Sequence, residues 1–201
     1  MKFNIICADP PWHFDDGLKK MKSPVRRSAQ SQYATLSLSE IKALNVQDLA
    51  NPQGCLLALW VPSSMLELGL ETMHAWGFKM KQTFVWVKLK KDHINEMDPN
   101  KKTRVGMGRL FRASHEIALI GTSGKSIYPI LDDHSQRSVA FDLNAGHSIK
   151  PNTLQNRLEI MFPVSNKLEL FCRRPRPNWT CLGDGVTGKD IRVSIQETIL
   201  L

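Results

Sequence analysis

The chain has 201 residues, 42% hydrophobic and 23% charged, with a formal net charge of +8, which suits one domain large enough to cover a sheet on both faces. Its four cysteines, Cys7, Cys55, Cys172 and Cys181, form no Cys-x-x-Cys pair and have no histidine at zinc spacing, so reduced thiols are expected and a metal site is not. No apolar stretch approaches bilayer length, and strand-like sequence stands where a signal peptide would need a longer apolar region, which predicts a cytoplasmic protein.

The first element is the apolar run of residues 3–8, a buried strand that stops at Asp9-Pro10-Pro11-Trp12. The two prolines donate no backbone hydrogen bond and force the chain into a stiff extended corner. That corner offers a carboxylate, carbonyl acceptors and an indole at the strand end, where α/β sheets bind ligands. A planar amino-bearing base needs this set: acceptors for its NH2 group and an aromatic surface. Further on, Ser37-x-x-Glu40 signals a helix start, with Ile41, Leu44 and Leu49 following at helical spacing. Residues 54–61 read as a second buried strand ended by Pro62, and residues 65–76 as a helix closed by Gly77. Residues 79–88 resemble a strand emerging toward the sheet edge, and residues 116–121 another strand. Pro151 suits the first turn of a helix carrying Leu154, Leu158 and Met161 on one face. Residues 168–172, residues 179–182 and the alternating Ile191, Val193 and Ile195 supply the last strands. Strands alternating with helices predict an α/β fold with a mostly parallel, doubly wound sheet and helices on both faces.

The charge is unevenly placed. Lys19, Lys20, Lys22, Arg26 and Arg27 cluster without an acid, and Lys88, Lys90, Lys91, Lys101, Lys102, Arg104, Arg109 and Arg112 outnumber Asp92, Glu96 and Asp98, which leaves the rest of the chain slightly acidic. A basic excess confined to two loop-like segments is the footprint of a phosphate-backbone binder. The segment 89–113 is too long for an ordinary connection and reads as functional. Gly183-Asp184-Gly185-Val186-Thr187-Gly188 matches the letters of a dinucleotide fingerprint, yet only a short tail follows it, so a nicotinamide or flavin enzyme is not expected.

Several fragments in fixed order resemble the β-class adenine-N6 methyltransferases of the mRNA-adenosine-methyltransferase-like family. They are Ala8 to Trp12, Tyr33-x-Thr35, Leu59 to Pro62, Met65-x-Glu67-x-Gly69, Trp76-Gly77-Phe78, Trp86-x-Lys88, Ser114-His115-Glu116, His147-Ser148-x-Lys150-Pro151 and Lys167 to Phe171 with Arg173. The resemblance implies a Rossmann-like methyltransferase using S-adenosylmethionine, one domain over residues 1–201, with a catalytic flap at about 13–32 and a target-recognition insertion at about 89–113. It implies catalysis by Asp9, Pro10, Pro11 and Trp12. Cofactor contacts are expected from Asp9, Lys150, Glu169, Arg173 and Asp184, although Asp184 and Gly185 depart from the residues that relatives carry there.

Adenine N6 is a poor nucleophile because its lone pair is delocalised into the ring. Asp9 is expected to accept one amino hydrogen and the Pro10 carbonyl the other, with Trp12 stacked on the extruded base. Tyr33, Lys101, Lys102, Arg104, Arg109, Arg112 and His115 are the candidate substrate contacts, with Glu116 beside them. DNA is the expected substrate because the form is compact, as in bacterial or phage-borne relatives. RNA is the alternative, a catalytically silent nucleic-acid-binding partner subunit is a third reading, and a homodimer is compatible with each.

Overall fold

A computed structural model describes residues 1–12, 36–106, 110–144, 146 and 149–201. Seven strands form one sheet: β1 (Ile5–Ala8), β2 (Cys55–Val61), β3 (Lys79–Leu89), β4 (His115–Ser123), β5 (Val139–Leu143), β6 (Lys167–Leu170) and β7 (Thr180–Leu182). Their order is β5-β3-β4-β2-β1-β6-β7. The β1–β2, β1–β6, β6–β7 and β3–β5 pairs are parallel, and β4 runs against both its neighbours. The helices are α1 (Leu38–Lys42), α2 (Leu66–Ala75), α3 (Pro99–Lys102), α4 (Thr153–Met161), α5 (Asp184–Thr187) and α6 (Ile191–Leu200).

Alternation along the central strands builds two cores. On one face Ile6, Ala8, Leu57, Leu59, Val61, Leu168 and Leu170 pack under Ile41 of α1, Met73 of α2 and Ile191 and Ile195 of α6. On the other, Ile5, Cys7, Leu56, Ala58, Trp60, Phe84 and Trp86 pack under Leu154 and Leu158 of α4. Both faces of β1 and β2 are therefore apolar, which is why these strands are continuous hydrophobic runs. Trp60 lies edge-on to Phe84 and Trp86, with centroids 6.1 and 6.5 Å away, a favoured aromatic geometry.

The local signals explain the helix ends. Ser37 Oγ accepts the Glu40 N–H at 3.2 Å while Glu40 Oε2 accepts the Ser37 N–H at 2.9 Å, a complete capping box on α1. Gly77 closes α2 with φ +79°, a conformation that costs a residue with a side chain about 1–2 kcal/mol. Gly69 lets α2 lie on β2, since a Cβ there would meet Val61 Cγ2 at 2.6 Å.

Four expectations change. The alternation at Ile191, Val193 and Ile195 forms a helix, not a strand: Asp190 caps it by accepting the Arg192 N–H at 2.8 Å, and Ile191, Ser194, Ile195 and Thr198 are buried at helical spacing. β3 lies one strand inside the edge, and the edge is β5, which sequence reading missed. Pro151 precedes the Asn152 N-cap of α4 instead of opening its first turn. Helices do follow the glycine-rich run, whose letters fall on α5 and its Gly188 cap, where the sequence reading left no room for one.

Candidate active site

From β1 the chain continues to β2 on one side of the sheet, whereas β6 and β7 lie on the other. The crevice beyond the carboxyl ends of β1 and β6 is thus a topological switch point. A cavity of about 780 Å³ opens there, lined among others by Asp9, Trp60, Lys150, Gln155, Glu169 and Arg173, within the usual range of ligand sites.

Asp9 leaves the end of β1 at the start of the proline corner, where the Trp12 N–H donates back to the Pro10 carbonyl at 2.9 Å. The Pro10 oxygen keeps a second lone pair for another donor. Lys150 Nζ donates to both Asp9 oxygens at 2.9 Å and lies 3.2 Å from Glu116 Oε2. Glu116 in turn pairs with Lys88. The result is an alternating row, Asp9, Lys150, Glu116 and Lys88, with Lys150 also 5.7 Å from the centroid of the Trp60 ring.

Burial alone would pull the Lys150 ammonium down, but Asp9 and Glu116 outweigh it and hold its pKa above the ordinary lysine value. Burial would likewise push Glu116 up, yet Lys150 and Lys88 hold its carboxyl below the usual range. Both groups are therefore charged across the neutral range.

The opposite wall is built on α4 and the loop after β6. Burial pushes the Glu169 carboxyl above its ordinary pKa, partly offset by Arg176 and Gln155. Gln155 Nε2 donates to Glu169 Oε1 at 3.3 Å, and Arg176 Nε lies 3.9 Å from Glu169 Oε2. Arg176 also donates to Asn152 and Asn156 at 2.7 and 3.1 Å, fastening the loop to α4. Phe171 begins that loop with φ +63°, unusual for a bulky residue and found where surrounding structure enforces it. Gln155 Oε1 and Trp60 Nε1 are buried without a hydrogen-bond partner among the described residues. Glu169, Cys172 and Cys181 bring three ligand-type atoms within 4.8 Å of one another, one short of the usual four ligands of a structural zinc site.

The expected site residues are only partly brought together. Asp9, Lys150, Glu169 and Arg173 all line the cavity. The Lys150 ammonium faces Asp9 and Glu116, so it holds the corner's carboxylate. Trp12 is packed inward. Its ring is 6% exposed within the α1 and α2 core, and its Nε1 donates to the Trp60 carbonyl at 2.9 Å, because that core closes around the chain just past β1. It is not among the residues that line the cavity. Asp184 heads α5, is exposed and lies outside the cavity lining. His115 opens β4 on the opposite face from Glu116, since side chains alternate along a strand. Lys101, Lys102, Arg104 and Arg112 stand on the insertion between β3 and β4. Tyr33, Arg109 and the whole flap of residues 13–32 lie outside the described residues.

Sequence reasoning missed Lys88, Gln155 and Arg176 and undervalued Glu116. Trp86-x-Lys88 and Ser114-His115-Glu116 were the available signals for two of them.

The MT-A70 family profile matches residues 3–185. The chain belongs to the MT-A70 family. A probable N(6)-adenosine-methyltransferase MT-A70-like protein of Oryza sativa subsp. japonica is 30% identical over 190 residues, covering 93% of this chain and 23% of the rice protein. The human N(6)-adenosine-methyltransferase catalytic subunit METTL3 is 30% identical over 192 residues, covering 93% of this chain and 29% of METTL3. The type II methyltransferase M.MunI of Mycoplasma sp. is 26% identical over 214 residues, covering 98% of this chain and 84% of M.MunI. The chain thus spans about a quarter of the length of its MT-A70-like plant relatives. MT-A70 membership agrees with the mostly parallel α/β sheet described above. No helix among the described residues is long and apolar enough to cross a membrane.

Proposed function

We propose that the chain transfers a methyl group from S-adenosylmethionine to the N6 amino group of adenine, in DNA. The observation that carries this reading is the Asp9 carboxylate, held on both oxygens by Lys150 at the mouth of the switch-point cavity.

The cavity chemistry fits the methyl donor. Glu169, whose carboxyl is pushed upward by burial, suits a ribose diol. Arg173 and Arg174 supply positive charge at the same wall for the donor's carboxylate. The orphaned Gln155 oxygen and Trp60 N–H are in residues that line the cavity. S-adenosylmethionine, when bound, supplies an electrophilic methyl carbon.

The protein's own part is to hold and polarise the amino group. Each Asp9 oxygen accepts one Lys150 N–H and retains a lone-pair position for an N6 hydrogen. The Pro10 carbonyl accepts the other N6 hydrogen. Held this way, the nitrogen presents its lone pair to the methyl carbon from about 3 to 3.5 Å. The N–C bond would form as the donor's methyl–sulfur bond breaks with its electron pair leaving on sulfur, and the nitrogen, made cationic, would give its extra proton to Asp9 or to water. Lys150 holds the Asp9 carboxylate in place, and Glu116 with Lys88 orients Lys150.

M.MunI, of which the chain covers 84%, favours DNA. The second reading, RNA, is favoured by the N(6)-adenosine methyltransferases, which are 30% identical. Incubation with donor labelled in its methyl group and either DNA or RNA, followed by digestion to nucleosides, tests both. Label in N6-methyl-2′-deoxyadenosine supports the proposal, label in N6-methyladenosine moves it to RNA, and label in neither from folded protein refutes it.

A further inference from the structure

We propose that Leu110 and Phe111 form an apolar wedge that enters the base stack of a duplex substrate and holds open the step from which the target adenine leaves. The inference deepens the reading of the chain as an adenine methyltransferase acting on DNA, and rests on it.

The insertion that carries these residues sits at the site. β4 runs against β2 and β3 runs against β4, so β3 ends and β4 begins at the same end of the sheet at which β1 delivers Asp9. Beyond β3 the chain folds back on itself, residues 88–90 pairing with residues 102–104. Leu89 bridges Thr103, the Lys90 N–H donates to the Lys102 carbonyl at 3.0 Å, and the Arg104 N–H to the Lys88 carbonyl at 2.7 Å. The Gly106 N–H then donates to the Ala113 carbonyl at 2.6 Å. Leu110 and Phe111 lie on the segment that this last bond closes, and the return arm leads directly to Glu116. The wedge thus stands between the Gly106–Ala113 bond and the start of β4, a few residues before Glu116 of the row Glu116, Lys150 and Asp9.

Leu110 is 94% exposed and Phe111 is 89% exposed, while Phe3, Phe78, Phe84 and Phe162 are almost fully buried. Such exposure of adjacent large apolar side chains calls for a partner surface. The surroundings select which one. Lys101, Arg104 and Arg112 are exposed on the same insertion, so the partner combines anionic groups with apolar planes, as a phosphate backbone with stacked bases does. Proteins that kink or open DNA insert apolar side chains between base steps in the same way. A base can reach a cavity at a sheet edge only after leaving its stack, and a side chain filling the gap recovers part of that cost. The row at Asp9 and the wedge therefore act on the two sides of one event, since the row receives the base and the wedge occupies the space it vacates.

The test compares methylation of native DNA with methylation of the same DNA after heat denaturation, using mixed-sequence linear DNA and labelled donor. In the Leu110→Ala/Phe111→Ala variant the ratio of native to denatured rates falls about tenfold or more, the scale of one lost stacking contact. Phe111→Trp in an otherwise wild-type chain retains the wild-type ratio, and equal melting temperatures establish that all variants fold. An unchanged ratio, whether both rates stay or fall together, overturns the wedge. So does a wild-type chain that methylates only denatured DNA or RNA, a result that leaves the methyltransferase reading standing. A chain that methylates nothing refutes that reading instead. If the double variant keeps the wild-type ratio but no longer sediments with phosphatidylglycerol vesicles, or changes its oligomeric state, the tip serves a lipid surface or a protein contact and the proposal fails.

Discussion

Lys150→Met removes one ammonium and leaves the length of the side chain almost unchanged. Asp9 and Glu116 then lose their shared counter-charge, and among the described residues Glu116 alone keeps another, Lys88. Breaking a fully buried pair costs about 3–5 kcal/mol. Here the Asp9 and Glu116 side chains are 28% and 27% exposed, so water recovers part of that, and a loss of about 2 kcal/mol is expected. For a chain of this size that lowers the melting temperature by about 4–8 °C. The loss has a defined pH window. Lys150 is held above its ordinary pKa, so its contribution is complete below the unfolded lysine value and disappears as pH rises through the folded one. Glu116 is held below its ordinary value, so its contribution is complete above the unfolded glutamate value and disappears as pH falls through the folded one. The difference in melting temperature between wild type and variant is therefore widest across the neutral plateau and narrows at both ends. Turnover should fall about a hundredfold, the cost of losing a positioning contact. The same Lys150→Met change made on top of Asp9→Asn should cost little further, because Lys150 acts through Asp9. Melting temperatures equal to within about 1 °C at neutral pH, or turnover losses that simply add in the double variant, would refute this reasoning.

Other consequences are separately measurable. Reversing Lys101, Lys102 and Arg104 to glutamate should weaken DNA binding and reduce the slope of log affinity against log salt by about 2 to 3; an unchanged slope would place the insertion away from the backbone. Cys181 should be alkylated by iodoacetamide with a midpoint below the ordinary thiol value, because the neighbouring Cys172 and the Arg176 backbone N–H, 3.3 Å from its sulfur, favour its thiolate. Cys55, pushed up to about 12 by burial, should remain unreactive there, and a Cys181 midpoint near the ordinary thiol value would contradict the pairing. Ile195→Ala should destabilise by about 2–5 kcal/mol in denaturant titration, as expected for a buried core isoleucine; a loss under about 0.5 kcal/mol would mean that α6 does not pack as described.

The central strands were legible because both their faces are buried, which leaves an unbroken apolar run at residues 55–61 and at 5–8. The capping box at Ser37 and Glu40 and the glycine after α2 were legible because their chemistry is local. Ile191 to Ile195 misled because three aliphatic residues at spacing two also satisfy part of a helical face. The deciding positions, Ser194 and Thr198, are polar although buried, so hydrophobicity did not mark them. β5 escaped notice because its apolar side chains Val139, Phe141 and Leu143 are 40 to 65% exposed on an edge strand, without the polar alternation that signals a half-buried one. At the site, the acid and the prolines could be read directly. The partner of Asp9 could not: Lys150 stands 141 residues away, and only the fold brings the two together. The burial of Trp12 could not be read for a related reason, since an indole beside a catalytic corner reads the same whether it faces a ligand or the core.

Single-turnover methyl transfer by Asp9→Asn, at saturating donor and DNA, tests most directly whether the Asp9 carboxylate holds and polarises the adenine amino group. The predicted rate is at least about a thousandfold below wild type, consistent with loss of a group acting in the transition state, with donor affinity within a few fold of normal. A rate close to wild type from the folded variant would contradict it.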